Sequence, residues 1–245
     1  MREETEFRPK PMVEVGGRPV LWHIMKTYAQ SGITDFVICA GYKGDVIKNY
    51  FYNYAPTNLD FTVKLGSHDE IVYHGSHEEF DWTVTVADTG PRTMTGGRIK
   101  RIERFVDGED FLCTYGDGIA NVDVSALVAY HAVHGKTATM TATKPTSRFG
   151  VIDMDENGAV EKFREKPKVD DWINIGYFVF TPRIFDYLPG DNCVLEEEPL
   201  HELAEQQQIS AFKHTGFWQP MDTQREAQQL NALWDSGDAP WKTWA

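Results

Sequence analysis

The sequence contains few cysteines, fewer cations than acidic residues, and no long hydrophobic run. Its three cysteines have no metal-binding spacing, and Cys39 and Cys113 lie in apolar runs typical of buried strands. An odd number of cysteines excludes a fully paired disulfide framework and favours a reducing compartment. The sequence shows no run of about 18 apolar residues and no signal-peptide pattern. We therefore expect a cytoplasmic protein that does not enter a membrane.

The charge balance is acidic. The chain has 24 Lys and Arg residues against 37 Asp and Glu residues, which gives a net charge of −13. A field of this sign repels polyanions, so we expect no nucleic-acid partner. It still permits a small phosphate ligand, which needs only a few local cations. Several tryptophans, including Trp234, Trp241 and Trp244, lie near the carboxyl end and predict a packed cap or a subunit contact.

Helical and strand patterns alternate through the first 148 residues, without repeats or low-complexity linkers. The predicted helices are 20–30, 45–54, 97–106 and 124–134, and the predicted strands are 35–40, 61–65, 83–87, 110–115 and 137–143. The stretch between residues 65 and 83 reads as irregular. This rhythm predicts an α/β fold with a mostly parallel central sheet and helices on both faces.

The pattern changes after residue 148. Asp155-Glu156-Asn157-Gly158 predicts a hairpin turn between strands 149–154 and 159–163. Further strands are predicted at 175–181 and 209–213, and a helix at 199–207. We interpret these elements as insertions on the same sheet, so that residues 1–245 form a single domain.

Two segments place a charged residue where a phosphate could bind. Pro9 and Pro11 hold Lys10 in an extended backbone, which presents one cation at a fixed place, although a plain surface loop fits as well. Asp117 follows an apolar strand, at the end where open α/β sheets bind ligands, and Gly116 permits close approach of a phosphate. Mg²⁺ prefers a carboxylate with phosphate oxygens. The alternative for Asp117 is a helix-capping turn.

Other charged motifs are open to two interpretations. Lys166, restrained by Pro167, could face a second phosphate or belong to a solvated charge run. Asp222 could be a second metal ligand or the N-cap of the following helix. Thr95-Gly96-Gly97-Arg98 could cradle a phosphate or form a plain turn. Asp153 and Asp155 have the Asp-x-Asp spacing of metal-dependent glycosyltransferases, but their place beside the predicted hairpin favours a turn.

Together and in this order, the motifs resemble those of the sugar-phosphate nucleotidyltransferase family. The matching segments are Lys10 in Pro-Lys-Pro-Met and residues 95–98, 115–118, 165–167, 174–176 and 218–223. Residues 94–98 and 239–244 are most similar to the cytidylyltransferase branch, which makes CDP-glucose. The resemblance implies a Rossmann-like nucleotidyltransferase fold, with a nucleotide-binding half at 1–148 and a sugar-binding and carboxyl-terminal half at 149–245. It also implies a homo-oligomer.

The resemblance further implies roles for single residues. Lys10 would contact the triphosphate of CTP, and Asp117 and Asp222 would hold Mg²⁺. Lys166 would hold the phosphate of glucose 1-phosphate. The residues implied beside the nucleotide are Thr95, Gly97, Arg98 and Gly116, and those implied at the sugar are Asn174, Gly176, Glu197 and Glu198. We expect Lys10, Asp117, Lys166 and Asp222 to converge around one magnesium-bridged polyphosphate.

The resemblance also implies a segment before Met1. Members of the family begin with a buried strand and a loop of the form Gly-Gly-x-Gly-Thr-Arg, and this chain starts just after the matching position. We expect that strand and loop to be encoded upstream. Three alternatives remain: a non-catalytic homologue that binds nucleotide sugars, a related thymidylyl- or uridylyltransferase, and a glycosyltransferase that uses Asp153 and Asp155.

Overall fold

A computed structural model of the chain describes residues 7–66, 70–106, 108–147 and 149–244. The helices are α1 (Val20–Ala29), α2 (Gly44–Tyr52), α3 (Tyr54–Asn58), α4 (Thr95–Arg101), α5 (Val124–His134), α6 (Glu198–Glu205) and α7 (Gln224–Asp235). The strands are β1 (Glu14–Val15), β2 (Arg18–Pro19), β3 (Asp35–Ala40), β4 (Asp60–Val63), β5 (Ile71–His74), β6 (Thr83–Asp88), β7 (Phe111–Thr114), β8 (Gly118–Ala120), β9 (Ala138–Thr143), β10 (Val151–Met154), β11 (Val160–Arg164), β12 (Ile173–Phe180), β13 (Ile209–Lys213) and β14 (Trp218–Pro220). Short 3₁₀ turns occupy Lys10–Met12, Glu103–Phe105 and Pro182–Tyr187.

The largest sheet has four strands in the order β13-β9-β12-β7. Strands β13 and β9 pair in parallel, whereas β12 runs antiparallel to both β9 and β7. Three strands therefore share one direction, and the prediction of a mostly parallel sheet holds for strand direction but is wrong for the pairing at β12. The chain leaves β9, forms the hairpin β10–β11, and returns through a bridge between Thr146 and Lys168. Because the chain re-enters the sheet at the same end at which β9 leaves it, β12 must run antiparallel to β9.

The sheet is covered on both faces, as predicted. Successive side chains of a strand point to opposite faces, and along β12 they join two different hydrophobic clusters. Tyr177 and Val179 belong to a cluster with α1, α5 and α7. Phe178 and Phe180 belong to a second cluster with α4 and α6. These buried side chains fix the sheet between two helical layers and hold its carboxyl edge in place.

Most predicted elements are confirmed with small changes in their bounds, and one region was wrong. Residues 71–74 were predicted to be irregular, but they form β5, which pairs antiparallel with β4. Both strands are exposed along their whole length. A two-sided exposed hairpin lacks the alternation of buried and exposed positions that predicts a strand.

The tryptophan-rich carboxyl end forms a packed cap on α1, which confirms the first of the two alternatives predicted for it, a packed cap or a subunit contact. Trp241 is fully buried, and its Nε1 donates to His23 Nδ1 at 3.3 Å. The His23 Nε2 donates to the Val15 carbonyl at 2.8 Å, and the ring lies edge-on to Trp234. Burial above all lowers the pKa of His23 to about 4. The imidazole is therefore neutral at pH 7 and satisfies both of its polar atoms inside the cap.

Backbone pairing among the described residues is interrupted between β3 and β7. Strand β3 pairs with β6, and β7 pairs with β12. A cavity of about 550 Å³ lies between β3 and β7, lined by apolar side chains such as Phe36, Ile38 and Leu112. We expected a strand and a Gly-rich loop to be encoded upstream of Met1. Met1 itself lies outside the described residues, so this expectation stays a prediction.

Candidate active site

Three charged side chains from distant parts of the sequence meet at one point. Lys10 Nζ lies 2.8 Å from Asp222 Oδ1 and 3.4 Å from Asp117 Oδ2. Asp117 lies between β7 and β8, and Asp222 follows β14. Strands β14 and β8 pair antiparallel, and the Met221 amide donates to the Asp117 carbonyl at 2.7 Å. That pairing brings the two carboxylates together, and the predicted convergence is observed for these three residues.

Gly116 allows the Lys10 turn to approach the end of β7. A Cβ at Gly116 would lie 2.8 Å from Pro11 Cγ, closer than carbon atoms can approach. Met12 is buried in the core beneath the turn. The prediction of an extended backbone at Lys10 was wrong, because Lys10 begins a 3₁₀ turn that ends at Met12. This turn and the missing side chain at Gly116 therefore place the ammonium group against the carboxylate that follows.

The electrostatics of the cluster suit a cation bound to two carboxylates. Partial burial of Lys10 lowers its pKa, but the hydrogen bond to Asp222 and the charges of Asp117 and Asp222 outweigh that effect, so the pKa is raised. The three side chains keep between 33% and 47% of their surface exposed, so a ligand can reach them. Two carboxylates open to solvent are the donors that Mg²⁺ uses together with phosphate oxygens.

Helix capping does not account for either carboxylate. Thr223 caps α7: its Oγ1 accepts from the Glu226 amide at 3.2 Å, and the Glu226 carboxylate accepts from the Thr223 amide at 2.9 Å. The capping alternative for Asp222 was wrong by one residue. Helix α5 is capped by Asp123, which accepts from the Ala126 amide at 2.9 Å. Both carboxylates of the cluster are therefore available to the site.

Lys166 makes no direct contact with this cluster among the described residues. It follows β11 with a left-handed φ of 44°, its side chain is 52% exposed, and its Nζ is 3.9 Å from Glu165 Oε1. Within the described residues, no hydrogen bond or ion pair joins Lys166 to Lys10, Asp117 or Asp222. Its role in holding the sugar phosphate stays a prediction.

The two glycines of α4 make room for a neighbouring loop. A Cβ at Gly96 would lie 2.6 Å from Cys193 Sγ, and one at Gly97 would lie 2.7 Å from Asp191 Cα. The Gly97 amide donates to the Cys193 carbonyl at 3.1 Å. In this structure the glycines therefore serve close packing of the helix on residues 190–193, and that amide is already engaged.

Thr95 and Arg98 lie on the same short helix but contact different segments of the chain. Arg98 Nη1 donates to Thr89 Oγ1 at 2.7 Å, and its guanidinium occupies the space that a side chain at Gly41 would need. Thr95 Oγ1 donates to Glu196 Oε2 at 2.7 Å. Helix α4 is thus anchored beside the ends of β3 and β6, and the role of Thr95, Gly97 and Arg98 beside the nucleotide stays a prediction.

Asn174 and Gly176 lie beside Tyr115, directly before Gly116. A Cβ at Gly176, which has a φ of 79°, would lie 2.1 Å from the Tyr115 ring. The Gly176 amide donates to Asn174 Oδ1 at 2.8 Å, and the Tyr115 amide donates to the Gly176 carbonyl at 3.1 Å. The irregular register of β12 at this point therefore brings both predicted sugar-side residues next to the Asp117 turn.

The resemblance implied Glu197 and Glu198 at the sugar, which stays a prediction, and sequence reasoning missed Glu196, which contacts Thr95 and Tyr115. Glu197 and Glu198 are exposed. The Glu196 carboxylate instead accepts from the Thr95 hydroxyl and from the Tyr115 hydroxyl. Burial first, and then the hydrogen bond to Glu196, raise the pKa of Tyr115. Helix α6 starts at Glu198, with Pro199 in its first turn, so Glu196 lies outside the helix and no local sequence signal singles it out.

The Asp-x-Asp pair forms a turn. Asp153 accepts from Arg164 at 2.9 Å, and Asp155 Oδ1 accepts from the Asn157 and Ala159 amides at 2.9 and 2.8 Å.

A second cavity, of about 740 Å³, is lined by Trp172 and Trp218 among others and contains none of the predicted site residues. In the part of the chain that the structure describes, no helix is long and apolar enough to cross a bilayer.

Comparison with known proteins agrees with this geometry. The sequence profile of the Nucleotidyl transferase family matches residues 4–220. The chain is 51% identical to a glucose-1-phosphate cytidylyltransferase from Salmonella typhi over 246 residues, which cover 100% of this chain and 95% of that protein. It is 40% identical to a probable glucose-1-phosphate cytidylyltransferase from Bacillus subtilis, again over 100% of this chain and 95% of the relative.

Solved structures share the fold. HddC from Yersinia pseudotuberculosis, complexed with GMP-PN, superposes with a TM-score of 0.65 at 17% identity, covering 92% of this chain and 90% of that one. A UDP-glucose pyrophosphorylase complexed with UDP-glucose gives 0.67 at 16% identity, covering 96% and 93%. At such identities the likeness concerns the fold alone. With the family profile over most of the chain and full-length relatives at 40% and 51% identity, the chain belongs to the nucleotidyl transferase family.

Proposed function

We propose that this enzyme makes CDP-glucose and pyrophosphate from CTP and α-D-glucose 1-phosphate. One structural observation supports it above the others: Lys10 lies within 3.4 Å of two carboxylates, Asp117 and Asp222, that come from distant parts of the sequence. A cation and two acidic groups at the carboxyl edge of the sheet suit a polyphosphate with a divalent ion. The relatives named glucose-1-phosphate cytidylyltransferase supply the choice of base and sugar.

The reaction joins two anions, so the protein must position them and offset their charge. An oxygen of the sugar phosphate attacks the α-phosphorus of CTP in line, a new P–O bond forms, and the bond to pyrophosphate breaks. Lys10 would contact the triphosphate, and Lys166 would hold the sugar phosphate. Mg²⁺ held by Asp117 and Asp222 would neutralise charge on the phosphate oxygens. Positioning and preorganised charge account for catalysis without a covalent enzyme intermediate.

The remaining contacts would divide between the two substrates. Thr95, Gly97, Arg98 and Gly116 would lie along the nucleotide, and Asn174, Gly176, Glu197 and Glu198 would line the sugar pocket. The Tyr115 ring packs against Gly176, whose amide is bound by Asn174, and this packing supports a shared wall between the two pockets.

A product assay tests this function. The purified protein is incubated with glucose 1-phosphate, Mg²⁺ and each nucleoside triphosphate in turn, and the product is identified by mass. We expect CDP-glucose from CTP. A product from a thymidine or uridine triphosphate instead would identify a related transferase. Nucleotide binding in calorimetry without any pyrophosphate release would favour the non-catalytic homologue.

We also infer a cytoplasmic homo-oligomer. The hairpin β10–β11 exposes Ile152, Met154 and Phe163, and an isolated two-stranded hairpin is marginally stable without further contacts. Light scattering gives the mass in solution directly. A monomer at micromolar concentration would contradict the inference and leave the proposed reaction untouched.

A further inference from the structure

One acidic side chain connects two parts of the proposed site. Glu196 accepts a hydrogen bond from Thr95 Oγ1 at 2.7 Å and another from the Tyr115 hydroxyl. Thr95 opens α4, whereas Tyr115 follows β7 and lies two positions before Asp117. Glu196 therefore joins the helix assigned to the nucleotide to the turn that carries a catalytic carboxylate.

Helix α4 and the segment before Glu196 form one packed unit. Arg101 donates to both carboxylate oxygens of Asp191, at 2.7 and 2.5 Å. The Leu195 amide donates to Thr95 Oγ1 at 2.9 Å, so this hydroxyl is fixed from two sides. The glycines of α4 let residues 190–193 lie against the helix backbone. Glu196 and helix α4 would therefore shift together as one rigid unit.

Tyr115 is held on its other side by β12. Its ring fills the space left by the absent side chain of Gly176, and its amide donates to the Gly176 carbonyl at 3.1 Å. A tyrosine hydroxyl has one proton to donate. Because that proton is directed to Glu196, the orientation of the hydroxyl is set.

We propose that Glu196 is a positioning residue that fixes α4 relative to the Asp117 turn and thereby aligns the two bound substrates. The proposal rests on the proposed function. Glu196 acts through Thr95 and Tyr115 and does not touch the reacting atoms. Reaction rates depend steeply on such alignment, since a misplacement of about 1 Å can lower a rate about 100-fold.

Steady-state kinetics of substituted enzymes test the proposal. We expect Glu196→Ala to lower kcat about 10-fold or more while the KM values for CTP and glucose 1-phosphate change less than about 3-fold. Glu196→Gln, which keeps one acceptor oxygen, should give an intermediate loss. Glu205→Ala, an exposed glutamate on α6, is the matched control and should behave as the unsubstituted enzyme.

A double-mutant cycle separates alignment from a general structural role. Tyr115→Phe should lower kcat in the same way, and combining it with Glu196→Ala should add little, because both remove one connection. Fully additive losses, or a rise in the KM for CTP with unchanged kcat, would overturn the proposal.

A measurement that needs no turnover distinguishes failure of this proposal from failure of the proposed function. If the unsubstituted protein makes no nucleotide sugar, the proposed function fails, but amide hydrogen exchange still reports on the connection. Glu196→Ala should then accelerate exchange at residues 115–117 relative to Glu205→Ala. Unchanged exchange there would refute the role of Glu196.

Discussion

The Lys10–Asp117–Asp222 cluster and the hairpin β10–β11 differ in how the protein holds its charged residues. The cluster lies at the ends of strands that pack against buried residues. Its Lys10 Nζ lies 2.8 Å from Asp222 Oδ1 and 3.4 Å from Asp117 Oδ2. The hairpin is largely exposed, and among the described residues Lys166 at its base forms one ion pair, with Glu165 at 3.9 Å. Residues on the sheet are thus placed before any substrate arrives. We expect a residue at the base of the hairpin to be placed by the substrate.

The largest expected effect tests the preorganised side. Asp117→Asn removes one negative charge and keeps the shape of the side chain. We expect turnover to fall about 1,000-fold, as for the loss of a principal electrostatic group, with the fold intact. A coupled pyrophosphate-release assay measures turnover, and circular dichroism monitors the fold.

The control for that prediction is Asp123→Asn. Asp123 caps α5, and asparagine caps helices about as well as aspartate. Both substitutions replace a carboxylate by an amide. Equal losses of turnover would therefore mean that the assay reflects protein stability and not a catalytic role of Asp117. Unchanged turnover in Asp117→Asn would reject its catalytic role.

We expect low pH to destabilise the cap that supports the Lys10–Asp117–Asp222 cluster and to leave the hairpin β10–β11 unaffected. The pKa of His23 is about 4 in the folded protein, against about 6.5 when unfolded, so the unfolded state binds more protons between these values. Stability therefore falls as the pH drops from about 6.5 to about 4, by about 3 kcal/mol at most. The cap around His23 supports α7, which directly follows Asp222.

Urea unfolding at a series of pH values measures this contribution. His23→Gln should be less stable at pH 7 and should lose less stability between pH 6.5 and pH 4. His201→Gln, on the exposed face of α6, should keep the original dependence. An identical pH dependence in His23→Gln would show that other groups cause the acid loss.

The hairpin side of the comparison is tested by Lys166→Ala. We expect kcat/KM for glucose 1-phosphate to fall about 30-fold, about 2 kcal/mol, without any change in the melting temperature of the free protein. Lys162→Ala, an exposed lysine of β11, is the control and should change neither quantity. A lower melting temperature for Lys166→Ala would show that this lysine is already held in the free enzyme, which would break the comparison.

The smallest effect concerns the cap beside the cluster. Thr223→Ala removes the acceptor for the Glu226 amide and should cost about 1 kcal/mol of stability. Thr223→Ser keeps the hydroxyl and should retain most of it. Denaturant unfolding compares the three proteins, and equal midpoints would exclude a contribution from the cap.

Local patterns in the sequence predicted most elements, and the family resemblance predicted four central charged residues, three of which the structure brings together. The apolar run at β3, the Asp123 cap of α5 and the turn between β10 and β11 are signals carried by neighbouring residues, and all were confirmed. Lys10, Asp117 and Asp222 followed from motif order, and the structure brings them together.

What the sequence could not supply depends on contacts between distant residues. The antiparallel placement of β12 follows from where the chain returns after the hairpin, and no residue of β12 encodes that direction by itself. Glu196 differs from Glu197 only in what lies opposite, namely Thr95 and Tyr115. The function of the α4 glycines was equally hidden, because residues 190–193 lie far along the chain.

The interruption between β3 and β7 has a mechanical consequence. No ladder of backbone hydrogen bonds joins these two strands within the described residues, and α1 packs against Phe36 on one side of the gap and Tyr177 on the other. Within the described residues, the β3–β6 pair is therefore joined to the four-stranded sheet by apolar side-chain packing and not by a backbone ladder. Because the Arg98 guanidinium rests against Gly41 at the end of β3, helix α4 is anchored to the β3–β6 side of that packing.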